Sequence, residues 1–254
     1  MKIRILGCGT SSGVPRIGND WGACDPADPR NRRTRVSALV SDGATNILID
    51  TGPDMREQLL AAGVSTVDAV LWTHDHADHT HGIDDLRQVF HARRSPVPGF
   101  ARPETLASLR GRFEYIFDGQ GGYRPVVDAA ALPDRMTTGE LVIRVIDQPH
   151  GDICSAGLRF EKHDKSIGYA TDFSAVTPDM VALYKGCDVL VVDALRETPH
   201  PTHPNLSQAL SFLQACEAKR GVLIHMDQSL DYATLARTLP PHVVPGHDGL
   251  EIAL

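Results

Sequence analysis

Several things are missing from these 254 residues, and each absence excludes a class of protein. The five cysteines, Cys8, Cys24, Cys154, Cys187 and Cys216, are odd in number and never spaced C-x-x-C, so a disulfide framework is not expected. No apolar run approaches the roughly 20 residues that cross a bilayer; residues 69–72 and 189–192 are among the longest. The opening stretch MKIRILGCGTSSG carries no long apolar segment of the kind that directs export, and a cytoplasmic protein is expected. Positive charge is also short. With 25 Lys and Arg against 32 Asp and Glu, the net charge is -7, which repels polyanions and argues against general nucleic-acid binding. Repeats, low-complexity tracts and linkers are absent, and one domain over residues 1–254 is expected.

What is abundant is histidine, 12 residues, several of them clustered. That excess raises the question of metals. Around it the chain reads as a mixture of strands and helices. Residues 2–6 form a strand that runs into a Gly, Ser, Pro and Asn rich loop to about Asp25, long enough to expect a functional role. Residues 36–41 and 45–50 read as a hairpin about Asp42-Gly43-Ala44. A helix follows Pro53, with Met55, Leu59 and Leu60 on one face and Gly63 at its end. Residues 67–73 read as a buried strand, 83–90 and 103–117 as helices. Further strands are expected at 141–146, 157–161, 167–171, 189–193 and 222–225, and helices at 178–184, 205–218 and 232–239. Asn205 and Gln208 suit a capping box. Early strands read as hairpins and later ones alternate with helices, which predicts two sheets face to face with helices outside.

The strand at 67–73 stops at Thr73-His74-Asp75-His76-Ala77-Asp78-His79. Alternate residues of an extended segment project to one side, so His74 and His76 can grip one cation while Asp78 and His79, past a turn, face a neighbouring one. Two adjacent ions need more donors. His150, Asp172 and His225 each sit where a predicted strand gives way to a loop, the place where sites on layered α/β proteins gather. Taken singly, each is more readily a structural residue than a ligand; the cluster changes that weighting. His203 lies at the same edge, between the strand ending at Asp193 and the helix capped by Asn205, and is a candidate proton donor.

The run Arg30, Arg32, Arg33, Arg35 reads first as solvated charge before a strand, and second as a receiver for a substrate phosphate. Gly7-x-Gly9 with Ser11-Ser12-Gly13 is a weak anion-binding signal, since no helix is expected to follow it. His81, His91, His163, His242 and His247 read as surface or structural, and His200 fits no motif.

His74-x-His76-x-Asp78-His79, then His150, Asp172 and His225 in that order, with Asp50 in Leu48-Ile49-Asp50-Thr51-Gly52, resembles the five-motif pattern of the metallo-β-lactamase fold superfamily over essentially the whole chain. The resemblance implies an α/β (α+β) fold, an αββα four-layer sandwich, and a dinuclear centre. In that centre His74, His76 and His150 hold one metal, Asp78, His79 and His225 the other, and Asp172 bridges, with Asp50 ordering the ligands. Gly7-x-Gly9-Thr10-Ser11-Ser12-Gly13-Val14-Pro15, Arg32-Arg33, His203-Pro204-Asn205-Leu206 and Asp248-Gly249-Leu250-Glu251-Ile252 look like the phosphodiesterase branch, nearest the phosphoribosyl 1,2-cyclic phosphate phosphodiesterases of the carbon-phosphorus lyase pathway. Those enzymes carry an extra structural zinc on a Cys cluster and a His. Here only Cys24 stands in that loop, with Gln228 at the His position, so that zinc is not expected.

The resemblance implies hydrolysis of a small, cyclic phosphodiester by two divalent ions, Zn or Mn. Such ions lower the pKa of a shared water toward neutrality and stabilise charge on the phosphate. His203 and Asp78 are the catalytic candidates, His203 as general acid. A homodimer is expected from the family. The alternatives are a ribonuclease Z-like tRNA 3′ endonuclease, for which no basic insertion is visible, and a metal-binding scaffold without catalysis. Glyoxalase II-type thioester hydrolysis would use the same ligands, but that resemblance lacks the His203 string.

Overall fold

In the computed structural model, which describes residues 1–254, the first sheet begins with Lys2–Gly7 (β1), Ser37–Ser41 (β2) and Asn46–Ile49 (β3), joined antiparallel. Asp42 closes the β2–β3 turn, its carboxylate accepting from the backbone N–H of Ala44 and Thr45 at 3.0 and 2.7 Å. Met55–Ala62 (α1) then covers the sheet and ends at Gly63 in the left-handed region, φ 65°. Ala69–Trp72 (β4), Val97–Ala101 (β5) and Val127–Ala131 (β6) extend the sheet in parallel. Ala77–Thr80 (α2), Leu86–Arg93 (α3), Pro103–Arg112 (α4) and Glu114–Phe117 (α5) lie in the crossovers.

The second sheet repeats this plan. Arg135–Thr138 (β7), Leu141–His150 (β8), Ile153–Lys162 (β9) and Lys165–Ala170 (β10) form an antiparallel meander. Val189–Asp193 (β11), Gly221–Ile224 (β12) and Val243–Pro245 (β13) continue it in parallel, alternating with Pro178–Tyr184 (α6), Leu206–Ala215 (α7) and Tyr232–Thr238 (α8). Glu251–Ala253 (β14) returns to pair with β1, completing two seven-stranded sheets. Hairpins followed by parallel strands therefore occur within each sheet, rather than early against late in the chain.

Strand alternation sorts the side chains into layers. Ile47, Ile49 and Leu71 join Ile3, Ile5, Phe160, Tyr169 and Val191 in a core of 41 buried residues shared by the two sheets. Their neighbours Leu48, Val70 and Trp72 point the other way, into a cluster of 18 with Leu59, Leu86 and Leu109 from the helices. Each fully buried Leu or Ile stabilises the fold by about 1.5–3 kcal/mol. The result is the αββα sandwich expected from the sequence. No helix is long and apolar enough to cross a membrane.

Four local expectations need correction. The helix expected over 103–117 breaks at Phe113, φ -129° and ψ 38°, into α4 and α5. Leu60 is 62% exposed, so α1 packs through Met55 and Leu59 without it. β8 runs four residues beyond Ile146 because β9 pairs with it as far as His150 opposite Ile153, so His150 is the last residue of the strand. Strands β5, β6, β7, β13 and β14 go unread in the sequence.

Candidate metal centre

Six strand ends deliver the site to one edge of the sandwich. β3 leads into Asp50, β4 into His74, β10 into Asp172 and β12 into His225, while β8 ends at His150 and β11 at Asp193. Asp50, Asp172 and His225 all have left-handed backbone, φ 62°, 52° and 58°. For a residue with a Cβ that conformation is costly, about 1–3 kcal/mol each, and it turns the side chain back over the strand end. After β4 the chain stays extended through His76, then makes the single helical turn of α2, which presents Asp78 and His79. That turn lies directly on residues 51–52: Thr51 N–H donates to the His79 carbonyl and Gly82 N–H to the Thr51 carbonyl, both at 2.8 Å. The contact requires glycine at positions 52 and 82, because a Cβ on Gly52 would collide with the Asp78 carbonyl and one on Gly82 with the Gly52 carbonyl.

The seven expected ligands come together. The donor atoms of His74, His76, His150 and Asp172 lie within 4.8 Å of one another, and so do those of Asp78, His79 and His225. Asp172 touches both groups. Its Oδ1 is 3.4 Å from His79 Nε2, and its Oδ2 is 3.5 Å from His225 Nε2 and 3.7 Å from both His74 Nε2 and His150 Nε2. Asp78 Oδ2 sits 3.5 Å from His79 Nε2 and 3.6 Å from His225 Nε2.

Hydrogen bonds behind the rings decide which nitrogen faces inward. Asp50, fully buried, accepts from His79 Nδ1 at 2.7 Å and from the Thr73 hydroxyl at 2.8 Å; that hydroxyl in turn accepts from His74 Nδ1 at 3.0 Å. One carboxylate thus orients two imidazoles, one of them through Thr73. His150 Nδ1 donates to the Thr202 carbonyl at 3.0 Å. With Nδ1 committed in each case, Nε2 points to the centre. His74 Nε2, His79 Nε2 and His225 Nε2 are buried without any hydrogen-bond partner. Three unpartnered imidazole nitrogens beside two carboxylates fit divalent cations, which supply the missing partner.

Electrostatics point the same way. Burial pushes His74 well down and His150 down to about 4, favouring the neutral, ligating ring. Burial opposes charge on His79 and His225 too, but Asp172, Asp78 and other carboxylates outweigh it, raising His79 well up and His225 to about 9. Against their own burial, Asp78 and Asp172 are held well below the carboxylate range by His79 and His225. Without ions, protonation is favoured only on the side of Asp78, His79 and His225.

His203 stands against this cluster. Its ring stacks on His225, 4.6 Å between centroids at 16°, and its Nδ1 lies 2.7 Å from Asp193 Oδ2. Asp193 is fully buried, and burial raises its carboxyl against the pull of His225 and His203. In the sequence Asp193 reads only as a strand end; the available signal is an acid closing the apolar run Val-Leu-Val-Val. Thr73 and the Thr202 carbonyl carried no signal at all. His200, unmatched in the sequence, has its ring 5.2 Å from that of His203. His81, His91, His163 and His242 are exposed and lie outside the cluster.

The arginine run is not a patch. Arg30 pairs with Asp28 at 2.7 Å and lies over Tyr232, Arg32 lies over Trp21, and Arg35 Nε is 3.0 Å from Asp54. Arg33 is interior, 1% exposed, neither solvated nor available to a substrate. Its guanidinium donates to the carbonyls of Asp227 and Leu230 and to Asn31 Oδ1, and lies 3.8 Å from Cys24 Sγ, holding the loop around Cys24 to the loop after His225.

A family model described as a beta-lactamase superfamily domain matches residues 45–226, a span that contains every side chain of the cluster. Among solved structures, the chain is 35% identical to a diphosphatase from the PhnP family, with a TM-score of 0.90 over 99% of this chain and 97% of that one. It is 33% identical over 258 residues to a Porphyromonas gingivalis protein named octanoyltransferase, covering 99% of this chain and 51% of that protein, so the chain spans about half the length of that relative. The short form of human tRNase Z shares the fold, with a TM-score of 0.74 at 18% identity over 100% of this chain and 99% of that one. The chain belongs to the beta-lactamase superfamily and is a metal-dependent hydrolase of that fold.

Proposed function

We propose that the chain hydrolyses a small, cyclic phosphodiester at two divalent cations, zinc or manganese. The observation that carries this reading is His203, fixed by Asp193 at 2.7 Å and stacked on His225, a proton donor beside the ligand cluster. His74, His76 and His150 would hold one ion and Asp78, His79 and His225 the other, with Asp172 between them. Bound there, divalent ions supply an activated water near neutral pH and positive charge opposite the phosphate oxygens. The protein's own residues do the rest. With Nδ1 donated to Asp193, His203 has Nε2 left to give its proton to the leaving alkoxide. The Asp193 carboxylate offsets the charge of the protonated ring and fixes its direction. Asp50 keeps His79 and, through Thr73, His74 aimed at the ions.

The 35% identity with the PhnP-family diphosphatase supports a phosphorus ester or anhydride as the bond broken. Likeness to human tRNase Z keeps a tRNA substrate as a second reading, and the net charge of -7 opposes it. Five free thiols suit action in the reducing cytoplasm. The test is a panel of cyclic and linear diesters, with a tRNA precursor, assayed on protein reconstituted with zinc or manganese. Turnover of small cyclic diesters is expected. Cleavage of the tRNA precursor alone would favour the second reading, and inactivity on all substrates with both metals would leave a scaffold.

A further inference from the structure

Beneath the metal centre, three buried polar atoms have no hydrogen-bond partner in the protein: the Tyr169 hydroxyl, Asp193 Oδ1 and His225 Nδ1. The strand register groups them. Tyr169 on β10 stands beside Val191 on β11, and Asp193 follows Val191 by two residues, so both side chains leave the same face of the sheet. Asp193 in turn stands beside Ile224, the residue before His225. Asp193 Oδ1 and His225 Nδ1 are 3.9 Å apart, too far for a direct hydrogen bond. Burial, then the carboxylates of Asp50, Asp172 and Asp193, push the Tyr169 phenol well up, so it stays a neutral O–H.

Leaving a buried donor or acceptor unpaired costs about 1–3 kcal/mol, and three on adjoining strands is a large penalty. Their chemistry is complementary. With Nε2 turned to the ions, His225 Nδ1 carries a proton to donate; Asp193 Oδ1 only accepts; the phenol does either. We propose that one ordered water lies beneath the metal centre, accepting from His225 Nδ1, donating to Asp193 Oδ1 and bonded to the Tyr169 hydroxyl, and that Tyr169 is a positioning residue for both side chains. Three partners are the usual number for a buried water. The proposal rests on the reading of His225 as an ion ligand and Asp193 as the partner of His203. Through the water, Tyr169 fixes the His225 tautomer and holds Asp193 so that its Oδ2 meets His203.

Tyr169→Phe keeps the ring and removes the hydroxyl. A high-resolution crystal structure of the zinc-loaded wild type should show the water against the three atoms, and the variant should lose it. Calorimetric zinc affinity should fall about tenfold in the variant, the size expected when a group supporting a ligand is removed. A hydroxyl merely buried without a partner behaves differently: its loss would raise the thermal midpoint and leave zinc affinity unchanged. That result, or a wild-type structure with no density between the three atoms, overturns the proposal. If Tyr169→Phe does not fold, the wild-type structure decides alone. Neither readout needs turnover, so a protein inactive on every diester that still shows the water sinks the hydrolase reading and leaves this one standing.

Discussion

Replacing His203 with alanine separates proton donation from ion binding. The His203 ring donates through Nδ1 to Asp193 and makes no hydrogen bond to any of the seven ligand side chains, so His203→Ala should leave the ions in place. A positioned general acid contributes about 10²–10⁴-fold, or about 2.7–5.5 kcal/mol of barrier. That loss should appear only where the leaving oxygen needs a proton. A cyclic diester whose leaving group is a ribose-type alkoxide should lose the full factor. Bis-p-nitrophenyl phosphate expels a stabilised phenolate and should lose less than about tenfold. Asp193→Asn removes the ionised acceptor of a 2.7 Å bond, a charge-assisted interaction of about 1.5–3 kcal/mol. It should slow the alkyl diester by about ten- to a hundredfold. The assay is kcat and kcat/KM on both substrates, with metal content measured on the same samples. Equal losses on the two substrates, or no loss on the alkyl diester with ions retained, would refute the proton-donor role.

Other consequences are as direct. Asp50 accepts from His79 Nδ1, Thr73 N and Thr73 Oγ1 at 2.7, 2.7 and 2.8 Å, so Asp50→Asn should weaken zinc binding about ten- to a hundredfold by calorimetry, and an unchanged affinity would contradict its orienting role. In the ion-free protein, His79 is raised and His225 reaches about 9, so the stability they contribute is fully present below the ordinary imidazole value of 6.5 and lost as pH rises through about 9. Chelator-treated protein should therefore unfold in less urea at about pH 9.5 than at about pH 6.5; equal or greater stability at the higher pH counts against the cluster's electrostatics. Arg33→Met keeps much of the volume but strands two carbonyls and Asn31, and should cost about 2–4 kcal/mol in urea unfolding. A change within about 0.5 kcal/mol would show that the buried guanidinium does not hold the two loops.

The sequence was legible where chemistry or pattern is local. The β2–β3 hairpin follows from Asp42 and Gly43, the end of α1 from Gly63, and the start of α7 from the Asn205–Gln208 capping box, which the structure contains. The His74 to His79 string declared itself because so many donors crowd one strand end. What stayed hidden depends on distant partners. β5 carries Pro98 and Gly99, and β6 is mostly alanine, both poor strand formers that only pairing within the sheet makes extended. β14 exists because β1 offers an edge to the other end of the chain. The same holds at the site. Asp193, Thr73 and the Thr202 carbonyl matter through contacts across sequence separations of 10, 23 and 52 residues, which no motif encodes. Arg33 looked like solvated charge because its neighbours in sequence are, whereas its carbonyl partners lie nearly 200 residues away.

Metal content of zinc-reconstituted protein, wild type beside Asp172→Ala, bears most directly on the paired-ion centre. Two ions per wild-type chain are expected, falling to one or fewer when the carboxylate that touches both ligand groups is removed. One ion or none in the wild type, or two retained without Asp172, would contradict it.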